Sequence, residues 1–306
     1  MRLDLVDPQF HRPLSRVPRL PIGWALGRRV VRALVRRHGP GAPVEGVEVR
    51  ALDQGRGLRV YTPTGGGSGA ALLWVHGGGY VIGDTVQDEA FCSTTALDLG
   101  ITVVSAEYRL APEHPFPAPL DDVTAAWRWL VQSAGSLGVD PSRIAIGGSS
   151  AGAGLAAGLV QRLHDAGGIQ PVAQWLFSPM IDDRTAARRD LDRLKHRVWS
   201  NAGNRTGWRS YLGAEPGGAQ VQDYAAAARR ADLSGLPPAW ISVGDIDLFA
   251  DEDRTYAERL RAAGVECTFD LVPGAPHGFE LWAPDTDVAG ALLARSRTWL
   301  GGQLAG

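Results

Sequence analysis

The segment RIAIGGSSAGAGLAAGL, residues 143–159, decides how this chain is expected to fold. A short apolar run enters a cluster of glycines that holds two adjacent hydroxyls, and a run rich in Ala and Leu follows. This order is typical of a buried strand that turns sharply into a helix. Because packing alone rarely places two serines in such a turn, Ser149 and Ser150 are both candidate nucleophiles.

The same alternation of strand and helix extends along most of the chain. Unbroken apolar strands that alternate with helices predict an α/β fold with a parallel sheet covered on both faces. The segments that predict strands are VEVRAL, LRVYTP, ALLWVHG, ITVVSAEY, RIAIGG, VAQWLFSP, AWISVGD and CTFDLVP. Those that predict helices are DDVTAAWRWLVQSAG, AGLAAGLVQRLHDAGG, EDRTYAERLRAAG and about 286–300. TGGGSG at 64–69 predicts a hairpin turn or a loop.

Two segments depart from this alternation and together predict a lid. Residues 1–45 are helical in pattern and basic, and residues 182–231 are polar and rich in arginine. In the first, an apolar stripe predicts a helix that docks on the body with its arginines solvated, while a helix on a membrane surface is the alternative. The stripe consists of Leu26, Val30, Val31, Leu34 and Val35.

The composition narrows the class of protein. A chain of 306 residues is long enough for one large α/β domain or two small ones. A net charge of −2 gives no electrostatic case for a nucleic-acid partner. Neither of the two cysteines has metal-ligand spacing, and no apolar run resembles a signal peptide or a membrane span. These features predict a cytoplasmic protein without a metal site.

The motif GSSAG at 148–152 matches G-x-S-x-G with Ser150 at its centre. In a strained strand-to-helix turn, the residues two positions either side of the nucleophile must be small. Gly148 and Gly152 satisfy this for Ser150. Gly147 and Ala151 do so for Ser149, so steric arguments leave both serines open.

A glycine loop after an earlier strand offers the second part of a catalytic site. His76, Gly77, Gly78 and Gly79 directly follow LLWV, and consecutive glycines allow close approach of backbone N–H groups to a ligand. An H-G-G-G loop of this type forms oxyanion holes, which donate hydrogen bonds to a tetrahedral intermediate. His76 is expected to brace this loop by hydrogen bonding.

A base and an orienting acid would complete such a site. His277 follows the last predicted strand, at the sheet edge where α/β sites gather. Asp245 and Asp247 follow the preceding strand, and either could orient a histidine. The residues expected to cap the next helix and favour its dipole are Asp251, Glu252 and Asp253. The remaining histidines, which lie in other contexts, are His11, His38, His76, His114, His164 and His196.

Together these motifs resemble those of the hormone-sensitive-lipase-like esterases, the bacterial family IV carboxylesterases of the α/β-hydrolase superfamily. The resemblance covers about residues 70–280. It is carried by HGGGY at 76–80, YRLAPEHPFPAPLDD at 108–122, GSSAG at 148–152, DLFADE at 247–252 and PHGF at 276–279.

The resemblance implies a mostly parallel eight-stranded sheet flanked by helices and covered by a helical cap. The cap would comprise residues 1–45 and 182–231, and the core residues 46–181 and 232–306. Such proteins often dimerise through the last strand, which would be ECTFDLV here.

The resemblance also assigns roles to the candidate residues. It implies Ser150 as nucleophile and His277 as base, and Ser149 then stands where the family usually has an acidic residue. It favours Asp247 over Asp245 as the acid, although Leu248 replaces the usual proline of the acid motif. The oxyanion donors would be the amides of Gly78, Gly79 and Ala151, in a loop supported by His76 and Gly77.

The implied function is a serine carboxylesterase that hydrolyses short- to medium-chain acyl esters through an acyl-enzyme on Ser150, without a cofactor. The same site would also serve amides, lactones or acyl transfer. A ligand-binding module like the related plant hormone receptors, which lack the base, is the alternative from another class. In the insertion, Trp199, Trp208 and Tyr211 are candidate pocket walls or cap-packing residues.

Overall fold

One mixed sheet organises the chain, of which the computed structural model describes residues 3–39, 41, 44–52 and 57–305. Its strands are β1 (Val47–Leu52), β2 (Leu58–Pro63), β3 (Ala71–Val75), β4 (Thr102–Ala106), β5 (Ile144–Ser149), β6 (Gln174–Phe177), β7 (Ala239–Gly244) and β8 (Cys267–Val272). Their order is β1-β2-β4-β3-β5-β6-β7-β8. Only β2 runs antiparallel to its neighbours. The predicted mostly parallel eight-stranded sheet is therefore confirmed.

The connection between β2 and β3 decides between the two alternatives predicted for residues 64–69. The segment 64–69 joins two strands that are not neighbours, since β2 pairs with β1 and β4. It is therefore a loop and not a hairpin turn.

Helices cover both faces of the sheet. They are α1 (Pro8–Arg16), α2 (Ala25–His38), α3 (Glu89–Leu99), α4 (Ala118–Ser133), α5 (Ala151–Ala166), α6 (Asp183–Ala187), α7 (Asn201–Leu212), α8 (Ala250–Ala262), α9 (Phe279–Trp282) and α10 (Asp287–Leu304). No described helix is both long and apolar enough to cross a bilayer.

Alternate side chains of the strands build a separate core on each face, as the period of two requires. Trp74 and Trp175 pack with residues of α1, α3 and α10 on one face. Leu73 and Ile146 pack with residues of α4, α5 and α8 on the other. The sheet is thus sealed on both sides, and the carboxyl ends of its parallel strands remain as the edge where a site can form.

Helix α2 exists as predicted, but it does not dock by the whole predicted stripe. Val31 is buried, whereas Leu26, Val30 and Leu34 are 58 %, 47 % and 61 % exposed. The predicted apolar positions spread over about half of the helix circumference at 100° per residue, so one packing face cannot cover them all. Within the predicted N-terminal segment, residues 1, 2, 40, 42 and 43 and the side chain of His38 lie outside the description.

Candidate active site

Ser150 lies at the sharp turn between β5 and α5. Its backbone has φ 54° and ψ −118°, a strained conformation that is uncommon for a residue with a side chain. The turn is held by a bond from the Ser150 amide to the Phe177 carbonyl of β6, at 2.8 Å. A Cβ at Gly152 would lie 2.1 Å from the Val75 carbonyl oxygen, so a larger residue would force the backbone of the turn apart.

A continuous hydrogen-bonded chain joins three of the predicted residues. His277 Nε2 lies 2.9 Å from Ser150 Oγ, and His277 Nδ1 lies 2.8 Å from Asp247 Oδ2. The Asp247 carboxylate also accepts a bond from the Phe249 amide at 3.0 Å. All three side chains are largely buried. This is the arrangement of a nucleophile, a base and a group that orients the base.

The two alternatives left open by the sequence lie elsewhere. Asp245 is exposed, and its carboxylate accepts a bond from the Gly274 amide at 2.7 Å, which ties together the loops that follow β7 and β8. Ser149 is the last residue of β5 and pairs with Phe177 of β6. Neither residue is hydrogen-bonded to His277 in the described structure.

The surroundings of His277 favour its protonated form. Burial lowers the pKa of His277, but the negative charge of Asp247, its hydrogen bond and the charge of Glu280 outweigh burial and leave the pKa raised. Burial also raises the pKa of Glu280, to about 7. The Phe249 ring lies nearly perpendicular to the imidazole, with ring centroids 5.2 Å apart. A positive charge formed on His277 during a reaction would therefore be stabilised.

The glycine loop after β3 runs beside Ser150. A Cβ on Gly77 would lie 3.1 Å from the Ser149 carbonyl oxygen, which is tighter than an ordinary contact, and 3.5 Å from the Ser150 Cβ. Gly78 and Gly79 have φ values of 129° and 59°, which glycine adopts without strain. No acceptor for the amide of Gly78 or Gly79 is found within the described ranges. Ala151 begins α5, where first-turn amides lack intrahelical acceptors.

His76 contacts this loop in the way expected of a brace. Its Nδ1 lies 2.8 Å from the Gly77 carbonyl oxygen. Its ring stacks on Tyr108 with centroids 4.3 Å apart, and the Tyr108 hydroxyl donates to the His76 carbonyl at 3.1 Å. The Gln87 amide donates to the Gly77 carbonyl at 3.3 Å from the opposite side. The loop conformation is thus fixed before any ligand arrives.

Aromatic residues of the insertion cover the loop. The indole of Trp199 lies so close to Gly79 that a Cβ there would be 2.0 Å from Cη2. Its centroid is 6.4 Å from that of His277. Tyr211 instead stacks on Tyr80 at 3.9 Å, and Trp208 meets the same ring edge-on at 5.3 Å. Of the three candidate pocket walls, Trp199 therefore reaches the triad, while the other two pack on the Tyr80 ring.

Two titratable residues near the triad were not predicted from the sequence. Burial lowers the pKa of His196. The negative charge of Asp247 opposes this shift, whereas His277 adds to it, and the Ile246 carbonyl interacts with the His196 ring. His196 carries no motif, so nothing in its segment distinguishes it. Glu280 could have been found, because it is an acid inside the apolar run FELW directly after PHGF.

The prediction that three acids cap α8 is wrong. The residue before the helix is Phe249, whose side chain makes no capping bond. Asp251 is exposed, but Glu252 and Asp253 are buried. Glu252 accepts bonds from the amides of Ile181 and Asp182 at 3.0 and 3.1 Å. All three acids do lie in the first turn of α8, where the helix dipole favours negative charge, but none of them caps the helix, and two of them face the core.

We expect the stability of Asp253→Asn, measured relative to wild type, to increase as the pH rises. Burial, and then the charges of Glu252 and Asp247, raise the pKa of Asp253 well above 3.8. Between its unfolded and folded pKa the native state holds more protons than the unfolded chain, so wild-type stability falls as pH rises. The variant lacks this dependence. The difference in melting temperature, variant minus wild type, should therefore increase by about 3 °C or more between about pH 5 and pH 8.

The matched control for this measurement is Asp251→Asn, which changes an exposed carboxylate two residues earlier. Thermal melts of both variants over the same pH range should give a flat difference for the control. A flat difference for Asp253→Asn as well would show that this carboxyl ionises in the folded protein as it does in the unfolded chain.

Comparison with known proteins finds relatives that are named as ester hydrolases. Residues 72–281 match the family described as alpha/beta hydrolase fold. The chain is 36 % identical over 239 residues to the carboxylic ester hydrolase LipN of Mycobacterium tuberculosis, covering 72 % of this chain and 60 % of LipN. It is 37 % identical over 213 residues to the carboxylesterase NlhH of the same organism, covering 68 % of this chain and 66 % of NlhH. A solved bacterial heroin esterase superposes with a TM-score of 0.90 at 35 % identity, covering 99 % of both chains.

Proposed function

We propose, from the premise that this chain belongs to the α/β-hydrolase fold family, that it is a serine carboxylesterase whose nucleophile is Ser150. The observation that carries the proposal is the hydrogen-bonded chain from Ser150 Oγ through His277 to Asp247. The chain spans 60 % and 66 % of the lengths of LipN and NlhH. The activity is therefore inferred from the site, with the relatives as support.

The geometry supports a two-step acyl transfer. His277 Nε2 removes the proton of Ser150 while Oγ attacks the ester carbonyl carbon, and the resulting imidazolium is stabilised by Asp247. Collapse of the tetrahedral intermediate breaks the bond to the alcohol oxygen, which takes the proton from His277. Water then attacks the acyl-enzyme with His277 again as base, and the acid and free Ser150 are released.

The oxyanion of each tetrahedral intermediate would be held by the amides of Gly78, Gly79 and Ala151. The first two lack acceptors in the described structure and lie in a loop fixed by His76. The third lies at the N-terminus of α5, where the helix dipole favours negative charge. Preorganised donors of this kind contribute about 3–4 kcal/mol each to the lowering of the barrier.

Short- to medium-chain acyl esters are the substrate class that we infer. Trp199 presses on Gly79 and faces His277, so the space above the oxyanion loop is bounded by a rigid aromatic wall.

The two segments predicted to form the cap also contact each other. Arg197 of the insertion donates to the carbonyls of Leu14, Ser15 and Val17, with N···O distances of 3.1 to 3.2 Å. These bonds support a two-part cap from residues 1–45 and 182–231 over the core of residues 46–181 and 232–306.

A homodimer formed through β8 and a cytoplasmic location complete the proposal. β8 is an edge strand of the sheet, and among the strands of the described ranges it pairs with β7 alone. An edge of this kind is a template for pairing with a second copy.

The proposed cytoplasmic location is supported by the cysteines. Cys92 and Cys267 are both free thiols, which suits a reducing compartment.

The proposal is tested by turnover and by covalent labelling of the same preparation. A series of p-nitrophenyl esters from acetate to laurate should give the highest kcat/KM at the short end. A fluorophosphonate should add one label per chain, at Ser150, as mapped by peptide mass spectrometry. A protein that neither hydrolyses any ester nor takes the label would be a ligand-binding module, which the contact of His277 with Ser150 disfavours.

A further inference from the structure

Helix α2 presents an apolar stripe to the outside of the molecule. Leu26, Val30 and Leu34, here called the α2 stripe, are spaced four residues apart and therefore lie along one side of the helix. Each is about half exposed or more, at 58 %, 47 % and 61 %. Trp24, directly before the helix, is 59 % exposed. Scattered exposed apolar residues are ordinary, but a continuous row of them marks an interaction surface.

The α2 stripe is not needed to hold the helix in place. Val31 and Val35 pack on the core from the adjacent side of α2, about 120° around the helix from the stripe. Arg32 donates from Nε to the Val81 carbonyl and from Nη2 to the Ala111 carbonyl, both at 2.8 Å. These bonds attach α2 to the segments that follow the glycine loop. The helix is therefore fixed with its apolar row turned outward.

The charges beside the α2 stripe are of one sign. α2 carries five arginines and no acid. Arg32 and Arg36 pair with Glu113 and Asp84 of the core. Two further arginines, Arg29 and Arg37, are exposed and have no ion-pair partner in the part of the chain that the structure describes. An apolar row flanked by unpaired arginines is typical of a helix that lies in the plane of an anionic bilayer.

We propose that the α2 face docks on the surface of an anionic phospholipid bilayer. The α2 stripe and Trp24 would enter the boundary between headgroups and acyl chains, where tryptophan is favoured, and the arginines would meet the lipid phosphates. A second copy of the chain fits this face poorly, because a two-fold interface would set the arginines of one copy against those of the other. The binding is peripheral and reversible, since a single short helix supplies it.

Vesicle flotation of the full chain tests this proposal. The probes are vesicles of phosphatidylcholine alone and of phosphatidylcholine mixed with phosphatidylglycerol, each at low and high salt. We expect binding to the mixed vesicles only, and weakening of this binding by salt. The triple variant Leu26→Ser, Val30→Ser, Leu34→Ser and the pair Arg29→Gln, Arg37→Gln should each bind at least about tenfold more weakly. The matched control is Leu97→Ser with Ile169→Ser, two exposed apolar residues elsewhere, which should bind as wild type.

The outcomes separate the alternatives. All substitutions are at exposed positions, so we expect unchanged melting curves. Should the triple variant not fold, the test is decided by vesicle binding of the Arg29→Gln, Arg37→Gln variant. Absence of binding to mixed vesicles by wild type, or equal binding by wild type and the triple variant, overturns the proposal. A fall in molar mass by light scattering in the triple variant, without vesicle binding by wild type, would identify the face as a contact between copies.

Discussion

Ser150→Ala is expected to lower kcat/KM for a p-nitrophenyl ester by roughly 10⁴- to 10⁶-fold. The variant keeps the oxyanion donors and the binding site, so it should retain a rate above that of water alone. The loss is large because Oγ is the only hydroxyl oxygen hydrogen-bonded to His277 in the described structure. Steady-state kinetics on the purified variant measure the effect, and a circular dichroism melt checks that the turn still folds.

Ser149→Ala is the matched control for this result. It removes an equivalent hydroxyl from the adjacent position, which ends β5 and is buried. We expect it to keep most of the activity and the full fluorophosphonate label. The reverse pattern, with activity lost in Ser149→Ala and kept in Ser150→Ala, would move the nucleophile one residue toward β5 and overturn the proposed site.

The sheet was predictable from the sequence because its signals are local. Most of the strands are apolar runs bounded by polar or glycine-rich turns, and every predicted strand is found in the structure. Helix α3 was missed because polarity does not follow burial along it: Ser93 and Thr95 are buried, whereas Leu97 is exposed. A helix that packs between the sheet and α10 with polar side chains on its buried side gives no helical period of hydrophobicity.

The relatives confirm the family resemblance. This resemblance selected among candidate site residues that the local sequence pattern could not separate. Asp245 and Asp247 both follow β7, so spacing alone cannot separate them. The backbone separates them: the amide of Asp245 bonds to Val272 of β8, and that of Asp247 bonds to Gly244 in a tight turn. The turn carries one carboxylate inward to His277 and leaves the other at the surface.

What the sequence could not predict depends on packing between distant segments. The burial of Glu252 depends on the junction between the core and the insertion, where the backbone amides of residues 181 and 182 donate to its carboxylate. The outward face of α2 likewise follows from the bonds that Arg32 makes to residues about 50 and 80 positions away. A helical pattern states which residues share a face, but only tertiary contacts decide which face is covered.

Asp247→Asn is expected to lower kcat/KM near neutral pH by roughly 10³- to 10⁴-fold. The carboxylate holds the proton on His277 Nδ1 so that Nε2 can accept the proton of Ser150, and an amide does not enforce this tautomer. The variant should also move the acidic limb of the pH profile. Catalysis needs neutral His277, and because its wild-type pKa is raised, activity is lost as pH falls through a value above 6.5. Without the Asp247 charge, burial lowers the pKa and the limb should move to lower pH.

The control is Asp245→Asn, which changes an exposed carboxylate bonded to the Gly274 amide and leaves the triad intact. We expect a modest change in rate and no shift of the acidic limb. Glu280, whose pKa burial raises to about 7, is present in both variants, so a shift seen only in Asp247→Asn reports the charge beside His277. A large loss and a shifted limb in Asp245→Asn, with neither in Asp247→Asn, would transfer the role of the acid to Asp245. Both carboxylates follow the same strand, but only that of Asp247 contacts the imidazole of His277. The two variants therefore test whether the acid of the triad is defined by its contact with the base or by its position in the sequence.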